Sequence, residues 1–176
     1  MPRRQILIVD GYNVIRNNER YTALGEDFGS EVWNKARQTL VNDAAYYAQG
    51  TYERCTVVFD GAGNPFSQGK PRHVAGVDVI FSPAGVSADT VIEKLAHEAR
   101  DNGYEAVVVS SDLTIQSTVF GNGVSRMSAN NFGGASQAME RDWREQSHGA
   151  PEKMTLADRL DPKTAEKLRR MLHPEE

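Results

Sequence analysis

Four runs of apolar, mostly β-branched residues punctuate the chain, at positions 5–9 (QILIV), 56–59 (TVVF), 74–81 (VAGVDVIF) and 106–109 (AVVV). Short runs of this kind predict strands. Between the first two, residues 30–49 carry Trp33, Ala36, Leu40, Ala44 and Tyr47 three or four apart, with Ser30 as an N-cap and Gly50 just past the end. This spacing predicts an amphipathic helix. Residues 87–102 repeat the pattern with Ile92, Leu95, Ala96 and Ala99, and stop at Gly103. Further on, 113–120 suits a short helix, 124–127 a fifth strand, and 128–146 a polar helix that Gly133 and Gly134 interrupt. Strands alternating with helices predict a mostly parallel sheet covered on both faces, a three-layer α/β domain with right-handed crossovers.

From about Ser147 the character changes. His148-Gly149-Ala150-Pro151 reads as a connector, and Thr155 and Asp161-Pro162 as helix starts. The expected organisation is therefore a domain over 1–147 followed by a helical C-terminal extension over 148–176. The extension gathers Lys163, Lys167, Arg169 and Arg170. Charge is mixed throughout, with 12 basic against 15 acidic residues up to position 132 and 8 against 9 beyond it, so neither part is a like-charged tail.

With 176 residues, 39% hydrophobic and 25% charged, the chain is large enough to hold a core without metal or disulfide. The single Cys55, in the run CTVVFD, reads as a buried structural thiol. No apolar run reaches spanning length, and mean hydropathy is -0.54, so the expected location is cytoplasmic, with no membrane partner. A net charge of -4 argues against broad coating of nucleic acid but allows a local basic track.

The chemistry is positional. The first strand runs into Asp10-Gly11-Tyr12-Asn13, the second into Asp60-Gly61 and the fourth into Ser110-Ser111-Asp112. Carboxyl ends of parallel strands share one edge, where ligands bind. Asp89 lies near the start of the helix after the third strand, with Glu93 one turn later on the same face. Each acid alone has an ordinary explanation as a turn, cap or helix-dipole residue. Together they do not. Two carboxylates about 4 Å apart repel by about 4 kcal/mol at an effective dielectric near 20, a large share of a domain's stability. A hard divalent cation relieves this while the acids stay ionised, and an oxygen-only ligand set suits Mg²⁺ or Mn²⁺. Such a site fits phosphodiester hydrolysis.

Around it, uncharged Asn13 can hydrogen-bond water or a phosphate oxygen without adding repulsion, and Ser110 and Ser111 can donate to phosphate. Tyr12 admits two readings, stacking on a base or packing against its loop. The cluster Gly69-Lys70-Pro71-Arg72-His73 is either a solvated loop or a phosphate track. Histidines 73, 97, 148 and 173 make no metal-binding pair, GAGNPF lacks the third glycine of a dinucleotide fingerprint, and neither GxxxxGK[ST] nor HExxH occurs.

The segments ILIVDGYNVI, VVFDGAG, VDVIFSPAGVSADTVIEKLA and VVVSSDLTIQSTVFGNG, in this order, resemble the YacP-like NYN domain family. The likeness covers about residues 5–130. It implies a PIN-like metal-dependent ribonuclease with a five-stranded sheet of order 3-2-1-4-5. It further implies Asp10, Asn13 and Asp89 as an essential trio, Asp112 and Asp60 as supporting metal or water ligands, and Glu93 as a lesser one. Because the family includes a bacterial endonuclease that cuts mRNA in the ribosomal A site, RNA, mRNA in particular, and the ribosome are the implied partners. This chain departs from the family at Ile115, where an acid is expected, leaving Gln116 to position substrate.

The expected function is a Mg²⁺- or Mn²⁺-dependent endoribonuclease, with Asp10, Asn13, Asp89 and Asp112 catalytic and Asp10, Asp60, Asp89 and Asp112 on the metal. Tyr12, Asn13, Lys70, Arg72, Ser110, Ser111 and Gln116 are the substrate-binding candidates. The alternative is a non-cleaving RNA- or ribosome-binding domain with a structural cation. A receiver or small-molecule phosphohydrolase reading is disfavoured because no lysine follows the fifth strand.

Overall fold

The computed structural model describes residues 4–24, 30–61, 67–112 and 123–148, without the side chains of 30–34, 143 and 146–148. Chain contacts divide it at Met139 into two compact units. The first is an α/β fold built on one six-stranded sheet. Its strands are β1 (Gln5–Asp10), β2 (Arg54–Phe59), β3 (Arg72–Val74), β4 (Val77–Phe81), β5 (Glu105–Val109) and β6 (Val124–Met127), in the spatial order β3-β4-β2-β1-β5-β6. All neighbours are parallel except β3 and β4. Without β3 the order is the expected 3-2-1-4-5.

The extra strand corrects the reading of 74–81 as one strand. Ala75 and Gly76, at φ 52° and 83°, turn the chain between Val74 and its partner Val77. Two successive positive φ values make a two-residue hairpin, so the apolar run is split and an antiparallel edge is added.

The helices are α1 (Gly11–Arg16), α2 (Glu19–Thr22), α3 (Ser30–Ala48), α4 (Ala88–Asp101) and α5 (Ala129–His148). The short α1 and α2 were not legible as helices. Gly133 and Gly134 do not interrupt α5, and the first has a packing reason: a Cβ there would lie 2.1 Å from the Asn18 side-chain nitrogen. The expected helix at 113–120, with Ile115 and Gln116, lies outside the described residues, as do the expected helices of the tail.

Alternation along β1 sorts the core. Leu7 and Val9 join Leu40, Ala44, Val57, Phe59 and Phe132 on one face, under α1, α3 and α5. Ile6 and Ile8 join Val58, Ile92, Ala96 and Val108 on the other, under α4. Strand parity then sets the direction of Asp10, which continues the Ile6, Ile8 row and so points toward α4. Among the described residues no helix is long and apolar enough to cross a membrane.

Candidate active site

Asp10 ends β1 and stands at the N-cap of α1, yet its side chain makes no capping hydrogen bond. It is 6% exposed. Its carboxylate instead accepts from the Ser110 hydroxyl at 3.1 Å. Burial, first of all, pushes the Asp10 carboxyl up to about 6; Asp89 and then Asp112 push the same way, while Ser110 and the Asn13 backbone oppose.

Asp89 lies in the first turn of α4, whose cap is Ser87, accepting from the Thr90 N–H at 3.3 Å. With capping already done by Ser87, the Asp89 carboxylate is not needed for it. Its pKa is raised above the ordinary value by partial burial, then by Asp112, Asp60 and Glu93 in that order. Asp89 is thus the hub of the acids singled out from the sequence, acted on by Asp112, Asp60 and Glu93 and itself acting on Asp10, which Asp112 also reaches. Asp60 is exposed, whereas Asp112 and Glu93 are half-buried.

The Ser110-Ser111-Asp112 segment is held to β1 and α1 from several sides. Register pairs Val9 with Val109, which sets Ser110 beside Asp10. The buried Ser110 hydroxyl, besides donating to Asp10, accepts from the Asp112 N–H at 3.1 Å. The Ser111 N–H donates to Asn13 Oδ1 at 2.8 Å, and the Ser111 hydroxyl accepts from the Ala129 N–H at 3.1 Å, tying in the start of α5. Arg126 Nε donates to the Ser110 carbonyl at 3.0 Å. These serines are therefore internal struts. With its oxygen engaged, Asn13 has its amide N–H donors left for a ligand.

Tyr12 packs. Its ring lies 5.1 Å from that of Phe59, its hydroxyl accepts from Arg37 at 2.8 Å, and the Arg16 guanidinium sits 5.8 Å over its ring. Gly11 makes this possible, since a Cβ there would meet the Phe59 ring at 2.4 Å. Lys70 and Arg72 are exposed at the outer edge, with β4 and β2 between them and β1. Arg16 and Arg37, which meet the Tyr12 ring and hydroxyl, were not singled out from the sequence. Arg16 was legible as the residue one turn after Tyr12 once 11–16 is helical; Arg37 arrives only through the packing of α3.

The donor set fits a hard divalent cation in kind: all oxygens, mutually repelling, one of them costly to ionise. Among the described residues no three acid, histidine or cysteine groups close on a single point. Mg²⁺ does not require that, as it binds through one or two carboxylates and keeps several waters.

The YacP-like NYN domain profile matches residues 7–173. YacP of Bacillus subtilis (strain 168) is 35% identical over 127 residues, 70% of each chain. The crystal structure of Rae1 (YacP) from Bacillus subtilis superposes with a TM-score of 0.66 at 32% identity, covering 94% of both chains. A single-residue variant of that protein gives 0.65 at 28%, over 94% of this chain and 99% of the other. With the motif order, the sheet order and the acid-bearing strand ends all in agreement, the chain belongs to the YacP-like NYN domain family.

Proposed function

We propose that the protein is a Mg²⁺- or Mn²⁺-dependent endoribonuclease that hydrolyses RNA phosphodiester bonds, with mRNA on the ribosome as its substrate. The observation that carries this reading is Asp10: a carboxylate buried at a strand end, whose ionisation is opposed first by that burial and then by Asp89 and Asp112. A fold tolerates such a residue at a cost, and function is the usual reason. Family membership supports a nucleic-acid substrate.

In this reading Asp10, Asp89 and Asp112 hold the cation, with Asp60 in support. The cation supplies charge neutralisation and Lewis acidity at the scissile phosphate. Ser110 fixes the Asp10 carboxylate by its hydrogen bond. Asn13, oriented by the Ser111 N–H, donates from its amide to a phosphate oxygen. A carboxylate not saturated by the cation accepts a hydrogen bond from the attacking water and orients it for in-line attack.

The test is cleavage of single-stranded RNA, and separately of mRNA on translating ribosomes, by purified protein with Mg²⁺ or Mn²⁺. Chelator and Asp89→Asn should each abolish cleavage while the variant keeps its far-UV spectrum. Undiminished cleavage by folded Asp89→Asn defeats the assignment. RNA or ribosome binding without any cleavage selects the non-cleaving alternative.

A further inference from the structure

The parallel ladder between β5 and β6 ends at Ser110, and it ends irregularly. The Ala106 N–H donates to the Gly123 carbonyl and the Ser110 N–H to the Met127 carbonyl, so the next donor in the pattern, for the Ser110 carbonyl, is the Ala129 N–H. That N–H goes instead to the Ser111 hydroxyl, and Arg126 Nε takes its place on the carbonyl at 3.0 Å. An arginine at an exposed strand position ordinarily extends its head into water. This one returns it to the main chain of a residue only 1% exposed. Register places it there: Ile8, Val108 and Arg126 form one row across β1, β5 and β6, on the side of the sheet to which Asp10 points.

The carbonyl that Arg126 holds belongs to the same peptide unit as the Ser111 N–H, which donates to Asn13 Oδ1 at 2.8 Å. We infer that Arg126 is a positioning residue that acts on Asn13 through the 110–111 peptide, fixing the plane of that peptide and strengthening its N–H as a donor. The inference rests on the nuclease reading for what Asn13 does, and on the two hydrogen bonds for the contact itself. A trans peptide carries its oxygen and its hydrogen on opposite sides, so it is held from β6 while itself holding α1. A cationic donor draws electron density toward the carbonyl oxygen and makes the N–H a stronger donor. Asn13, an amide accepting at its own oxygen, passes the polarisation on to its nitrogen. Without Arg126 the buried carbonyl loses its donor, and the peptide is no longer fixed for Asn13.

Arg126→Gln keeps a donor at the position of Nε and drops the charge; Arg126→Met matches that length with no donor. The experiment measures single-turnover cleavage of a fluorescent single-stranded RNA by the full chain with Mg²⁺, in a cycle with Asn13→Ala. Arg126→Met should lower the rate about tenfold or more in the parent, and change it less than about twofold in Asn13→Ala. Arg126→Gln should recover most of the loss. Equal losses in the two backgrounds would mean that Arg126 only joins β6 to β5, and overturn the inference while the nuclease stands. So would a loss in Arg126→Gln as large as in Arg126→Met, which marks the charge as a direct phosphate ligand. If the parent never cleaves, the nuclease reading fails and the contact is read from the Asn13 side-chain amide NMR signals of the metal-free chain, assigned by their absence in Asn13→Ala. They should shift in Arg126→Met and return in Arg126→Gln; signals that stay in place in Arg126→Met overturn the inference. Should Arg126→Met not fold, Arg126→Lys, whose donor lies one bond farther out, replaces it in both measurements.

Discussion

Asp10 is where sequence, packing and chemistry conflict most openly. Its carboxyl is pushed up to about 6, so between pH of about 4 and about 6 the folded chain holds a proton that the unfolded chain has released. Stability therefore falls as pH rises through that window and stays at the lower level above it. Asp10→Asn should remove the loss, gaining roughly 3 kcal/mol at pH 8 and little at pH 4, as read by denaturant midpoints at both. Added Mg²⁺ or Mn²⁺ should raise the melting temperature of the parent at pH 8 but not that of Asp10→Asn. An equal rise in both would place the cation elsewhere. Gly11 is constrained in another way: Gly11→Ala drives a methyl into the Phe59 ring and should cost about 1–3 kcal/mol, a thermal shift that would vanish if the ring had room to move. The acid positions could be read from the sequence because strand ends and parity are local properties. The serine struts could not, since Ser110 and Asp10 are a hundred residues apart and meet only through strand register.

At the scale of elements, apolar periodicity located β1, β2, β5, β6, α3 and α4 within a residue or two, whereas the Ser87 cap of α4 came only with the structure. Periodicity failed at the β3–β4 hairpin because Ala75 does not announce a turn. An alanine at φ 52° is strained, and Ala75→Asn should stabilise the protein by about 0.5–1 kcal/mol in equilibrium unfolding. Helix α5 offers a paired test of its two glycines. At Gly134 nothing lies within 4 Å of an added Cβ, so Gly134→Ala should gain up to about 1 kcal/mol from helix propensity. Gly133→Ala should instead destabilise. Its methyl would displace Asn18, whose amide donates to the Ala129 carbonyl at 3.0 Å and whose oxygen accepts from the Arg20 N–H at 2.9 Å. Equal effects at the two positions would contradict this account.

For the whole molecule, the one cysteine is an internal reporter. Cys55 lies buried in central β2, and burial pushes its thiol up to about 12, so it should resist alkylation until the sheet opens. Its labelling rate should track global unfolding, and rapid labelling under native conditions would mean that β2 opens locally. The same distinction between near and far along the chain separates what could be read in advance from what could not. Alternation of two and of three to four residues encodes which side of each strand and helix is apolar, because those periods belong to the backbone. That was enough to predict a parallel α/β sheet with aspartates at its carboxyl edge. Which carboxylates raise one another's pKa, why the Asn13 side-chain oxygen is held by the Ser111 N–H, and how Arg37 reaches Tyr12 are matters of register and helix placement. They depend on side chains from segments far apart in sequence, and such neighbours acquire each other only when the sheet and its covering helices pack.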